Sequence, residues 1–163
     1  FGTAMTTYSG QNVGAREFDR VHKGAKQGTI IAAGTSAAIT GLILIFGKYL
    51  MGIFTNTSEL VTLSANMMKI LAVGYIAMAV TQSLSGVMRG AGDTMTPMWI
   101  SIVTTVFIRV PLAYGIAHFT KTPELPGGRY ECIWVSLLIS WVLGAVLTVV
   151  FYRIVKWKNM GLE

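Results

Sequence analysis

Apolar and polar positions alternate along this chain on the scale of a membrane thickness rather than of a single helical turn. Long apolar stretches occupy residues 28–50, 60–88, 97–119 and 132–152, broken by short segments rich in Gly, Thr and charge. Each stretch offers about 20 mostly uncharged residues, enough at ~1.5 Å per residue to cross a ~30 Å hydrocarbon core. Lys69, Arg109 and the boundary residue His118 are the groups able to place charge inside them, with Lys48 falling at an end. Four such helices in 163 residues leave a soluble chain too little water-facing surface. The pattern therefore predicts an all-α, polytopic transmembrane helical bundle. Ahead of the first span, Phe18, Val21, His22 and Ala25 recur at helical spacing among Arg16, Glu17, Asp19, Arg20, Lys23 and Lys26, which predicts an amphipathic interfacial helix feeding that span. Residues 1–10 read as the last turns of a helix already under way, so the chain is expected to belong to a longer polypeptide.

Charge then orients the spans. Arg16, Arg20, Lys23, Lys26, Arg89, Arg153, Lys156 and Lys158 fall on one side, and only Lys48, Lys121 and Arg129 on the other. The positive-inside rule places loops 11–28 and 89–96 and the carboxyl tail in the cytoplasm. A net charge of +6 is thus topogenic, and no nucleic-acid partner is needed to explain it. Basic juxtamembrane residues also suit anionic lipid headgroups.

Composition agrees: charged residues make up 12% of the chain, against about 25% in ordinary soluble domains. The lone Cys132 reads as a small apolar filler at the outer mouth of the fourth span. His22 and His118 are expected on opposite sides of the membrane, so they cannot share a metal or a nucleophile, and neither an enzyme nor a cofactor is expected.

The link between spans two and three, Arg89-Gly-Ala-Gly-Asp-Thr-Met-Thr-Pro97, carries two glycines one residue apart. No strand precedes them and no Gly-Lys-Thr follows, which argues against a phosphate loop. Gly90 and Gly92 are expected to end one helix in a tight turn, with Thr96 capping the next, Pro97 at its start and Asp93 offsetting Arg89.

At these residues a family resemblance emerges. Gly10-Gln11-Asn12-Val-Gly-Ala15, followed by Arg20 and Lys23, and then Arg89-Gly-Ala-Gly-Asp93-Thr94 two spans later, resemble the paired cytoplasmic loop motifs of the multidrug and toxic compound extrusion (MATE) transporters. The order and spacing of the two are more specific than either alone. The resemblance implies a twelve-helix, two-lobe transporter. The polar tail with Trp157 and the segment Val106-Phe-Ile-Arg109-Val resemble the second lobe, so the chain is expected to hold the end of helix eight and helices nine to twelve as a single membrane domain, packed against the amino-terminal lobe of the same polypeptide.

Polar groups within spans are functional candidates because burying them is costly. Tyr75, Met78, Gln82 and Ser85 share one face of span two, leading down to Arg89, and that face either lines a cavity or bonds neighbouring helices. Lys69, with Thr62 and Asn66 on its face, and Arg109, with Thr105, either snorkel outward or face the bundle. For Arg109 an interior structural role is expected, paired with helix-end carbonyls or with a carboxylate elsewhere in the protein. None of the spans contains Asp or Glu. A carboxylate coupled to H⁺ or Na⁺ would therefore lie outside this segment. Ser136, Ser140, Gly144 and Thr148 form a small-residue packing stripe, and Gly24, Gly28 and Gly34 are expected to allow close approach as well. Trp99, Tyr130, Trp134, Phe151, Tyr152 and Trp157 read as aromatic-belt anchors.

The resemblance implies export of drugs or toxic organic cations by antiport with H⁺ or Na⁺ across the inner membrane. Two alternatives stand beside it: a lipid-linked saccharide flippase of related architecture, which would need a strongly basic cavity, and a non-transporting membrane scaffold.

Overall fold

A computed structural model describes residues 1–154 apart from 123, 124, 126 and 127. Among these described residues six α-helices follow one another: α1 (Gly2–Gly14), α2 (Phe18–Phe54), α3 (Ser58–Gly90), α4 (Met95–Ile102), α5 (Val110–Phe119) and α6 (Glu131–Ile154), with a π-helical segment, Val103–Arg109, joining α4 to α5 without a break. Helices α2, α3, the continuous α4 to α5 rod and α6 are each long and apolar enough to cross a bilayer. Their bounds lie within a few residues of the predicted spans, except at the start of α2.

There the interfacial helix and the first span are one helix of 37 residues, about 55 Å long at 1.5 Å per residue. Nothing between Lys23 and Thr29 breaks it, because Gly24 and Gly28 are held against α1: a Cβ on Gly24 would run into the Tyr8 ring, and one on Gly28 into Met5. Gly34 has open space beside it and plays no such part. The turn from α1 to α2 is also short. Arg16 takes it at φ 60°, its N–H and that of Glu17 donate to the Val13 and Asn12 carbonyls, and the Tyr8 hydroxyl reaches across to the Arg20 carbonyl at 2.9 Å.

Helix α1 lies in a groove between α2 and α3. Gly86 and Gly90, one turn apart on α3, let the α1 backbone approach at Gly2 and Thr6, where added methyl groups would collide. The buried Ser9 hydroxyl donates to the Val87 carbonyl at 2.9 Å across the same contact. Met5, Val13, Val21, Ala25, Val87 and Ala91 close the core at this end, with Phe18 and Tyr152 packed on it. Tyr152 is therefore not a belt anchor: its hydroxyl lies 3.3 Å from His22 Nδ1. Tyr130 and Trp134 do stack edge to face at the opposite end, and Trp157 lies outside the described residues.

Gly92 at φ 96° turns the chain out of α3, as expected. The cap of α4 differs from expectation. Its N-cap residue is Thr94, and Asp93 Oδ1 accepts the Thr96 N–H at 3.0 Å, so Thr96 is the recipient of a cap rather than its source.

The π-helical turns were not foreseen, and Pro111 accounts for them. Proline has no N–H to donate, and its ring crowds the carbonyl one turn back, so a wider turn upstream relieves both. On α6, Ser136, Ser140, Gly144 and Thr148 are all buried, and Gly144 packs against Thr104 of the π segment. Cys132 is buried too, but as more than a filler: its thiol donates to the Arg129 carbonyl and lies 3.4 Å from the Thr120 hydroxyl.

Candidate functional site

The inner face of α3 separates two cavities. The larger, about 610 Å³, is an open cleft between α1, α2 and α3. Tyr75, Met78, Ala79, Gln82 and Arg89 form its α3 wall, while Thr35, Ser36, Ile39, Thr40 and Ile43 of α2 face them. Residues Phe1, Gly2 and Thr3 lie along it from α1. Of the sequence-predicted face of span two, Tyr75, Met78 and Gln82 are thus brought together as a wall of this cleft, while Ser85 lines only the smaller cavity beyond α3. Tyr75 is braced from behind by Trp141 of α6, ring centroids 5.8 Å apart.

On the far side of α3 a narrower annex of about 200 Å³ is bounded by α4, the π segment and α6. Its lining is dominated by hydroxyls, amide and guanidinium: Thr81, Gln82, Ser85, Arg89, Ser101, Thr105, Arg109 and Ser140. Met78, Gln82 and Arg89 line both cavities, so the two are neighbours across this stretch of α3.

Arg109 is half-buried, and its Nε donates to the Ser140 hydroxyl at 3.0 Å, which donates onward to the Leu137 carbonyl at 2.8 Å. Arg109 thus turns toward α6, and the partner it has among the described residues is a hydroxyl rather than the expected helix-end carbonyl or carboxylate. The small-residue stripe is accordingly not packing alone. Among the described residues the ion pairs are Arg20 with Glu17 and Arg129 with Glu131, so neither Arg89 nor Arg109 has a carboxylate partner here. Asp93 does not offset Arg89 by pairing with it. Its carboxylate is buried and turned to the α4 amide, with Oδ2 left without a partner.

The other predicted residues lie elsewhere. Lys69 is exposed, in a groove shared with Lys48 and Met68 between α2 and α3, and lines neither cavity, although Ile43 borders both this groove and the cleft. Gln11 is exposed at the end of α1, and the Asn12 amide donates to the Tyr8 carbonyl at 2.8 Å, so the first loop motif shapes the α1 to α2 turn. Sequence reasoning missed Ser140 and Trp141 as site residues. The available signal was an arginine in one span facing a serine stripe in the next.

Among the described residues, four long apolar helices bordering an open cleft and a smaller polar annex define a multi-pass α-helical membrane protein. The MatE family model matches residues 1–115, and the chain belongs to that family. Similar proteins include the probable multidrug resistance protein YoeA of Bacillus subtilis, 26% identical over 97% of this chain and 33% of that relative. The probable multidrug resistance protein NorM of Thermotoga maritima is 23% identical over 96% of this chain and 32% of its own length. Multidrug and toxin extrusion protein 2 of Oryctolagus cuniculus is 26% identical over 96% of this chain and 25% of its own. The chain thus spans a quarter to a third of the length of these relatives.

Proposed function

We propose that this chain is part of a secondary transporter that exports drugs or toxic organic cations by antiport with H⁺ or Na⁺ across the inner membrane. It supplies the end of helix eight and helices nine to twelve of the carboxyl-terminal lobe, packed against lipid and against the amino-terminal lobe of the same polypeptide. The observation that carries this reading is the cleft of about 610 Å³ whose α3 wall presents Tyr75, Met78 and Gln82. Aromatic, thioether and amide groups suit a flat organic ligand, and an aromatic face also attracts a cation.

Coupling would be supplied by a carboxylate elsewhere in the polypeptide, since the spans here hold none. The turn from α1 to α2, the turn from α3 to α4 and the carboxyl tail lie in the cytoplasm, following the bias of Lys and Arg. Substrate crosses as the two lobes rock about the central site, as repeat-built transporters do.

Dye efflux from proteoliposomes holding the full-length protein, under an imposed pH or Na⁺ gradient in turn, tests the reading. Efflux driven by one gradient supports it; folded protein that responds to neither contradicts it. The flippase alternative would need a strongly basic cleft, and among the described residues Arg89 is the one Lys or Arg that lines it.

A further inference from the structure

We propose that the annex between α3, α4 and α6 is an anion-binding site that takes a monoanionic group, either the carboxylate of a ligand seated in the adjoining cleft or a free halide. A guanidinium keeps its charge in proteins and carries five N–H donors. Arg109 commits only Nε, to Ser140, which leaves both terminal nitrogens without a partner among the described residues. The Arg89 side chain, exposed near the end of α3, makes no hydrogen bond or ion pair among them and lines the same annex.

Around these two cations stand hydroxyl and amide groups of Gln82, Ser101 and Thr105, which can donate to an anion, and no acid lines either cavity. Arg109, half-buried within the third span, has no carboxylate partner among the described residues, and a charge held so in a membrane is costly. An anion in the annex removes that cost and takes up the idle donors as charge-assisted hydrogen bonds. Because Gln82 and Arg89 border both cavities, an aromatic body in the cleft can extend a carboxylate into the annex. The site would then favour amphoteric ligands over simple cations. Only that carboxylate source rests on the cleft being the substrate site; halide binding does not.

Trp141 lines the annex and offers a reporter. The full-length protein in chloride-free buffer is titrated with iodide, and the fluorescence lost on Trp141→Phe substitution isolates this residue's quenching. The expected result is a saturable component that Arg109→Gln weakens about tenfold, while Arg109→Lys retains part of it. Displacement by chloride identifies a free halide as occupant, and displacement by benzoate alone identifies a carboxylate. Linear quenching, or quenching unchanged in a folded Arg109→Gln protein, overturns the proposal. So does displacement by neither anion, or by benzylammonium as readily as by benzoate. The readout is equilibrium binding and needs no transport, so a failed efflux assay and a failed anion site remain distinguishable.

Discussion

Arg109 Nε lies 3.0 Å from the Ser140 hydroxyl, tying the end of the π segment to the buried face of α6. A charge carried within the third span is thereby anchored to the fourth. The bond is made at the last residue of the widened turn.

Ser140→Ala removes the anchor but leaves the arginine in place. A loss of about 1 kcal/mol is expected, as for interhelical hydrogen bonds in membranes generally. Thermal unfolding of the full-length protein in detergent measures it. Arg109→Ala is expected to lower the abundance of the full-length protein as much as its transport. Normal abundance with transport abolished would instead give Arg109 a direct role with substrate or ion.

The glycines of α2 and α3 divide by what they face. Gly86→Ala and Gly90→Ala push a methyl group into the α1 backbone at Gly2 and Thr6, and a cost of about 1–3 kcal/mol is expected from overpacking. Gly34→Ala on α2 meets open space and should leave stability unchanged or raise it by up to about 1 kcal/mol through helix propensity. Parallel thermal unfolding of the three proteins separates the classes, and equal effects at Gly34 and Gly86 would refute the close contact of α1 with α3.

Asp93 acts through an oxygen on the Thr96 amide rather than through its charge. Asp93→Asn keeps an acceptor and should cost a few tenths of a kcal/mol, whereas Asp93→Ala loses the cap at about 0.5–2 kcal/mol. A large loss in both would point to a need for the negative charge, met by the oxygen that is left unpartnered here.

The spans were legible because each is decided by composition over about 20 residues, a signal that local detail cannot overturn. The inner face of α3 was legible for a similar reason, since Tyr75, Met78 and Gln82 repeat at helical spacing and the fold needed only to leave space beside them. What escaped depended on neighbours distant in sequence. Tyr152 looks like any boundary aromatic until α2 is seen to bring His22 to its hydroxyl. Ser140 looks like any small packing residue until Arg109, on another helix, turns toward it. Lys69 carried two readings, and in the structure it is exposed in a groove with Lys48 and lines neither cavity. The π segment was hidden for a different reason: Pro111 signals a local disturbance in a helix, but not whether a kink or a widened turn absorbs it.

The most direct test of the cleft as the substrate path of a coupled exporter is the half-saturation concentration for gradient-driven dye efflux by full-length protein, wild type against Gln82→Ala. Gln82 is exposed in the cleft and its side chain makes no hydrogen bond among the described residues, so its removal should leave folding intact. An increase of about tenfold with unchanged abundance is the predicted result, the loss of one polar contact to substrate. An unchanged half-saturation concentration, with efflux still following the gradient, would place the substrate elsewhere.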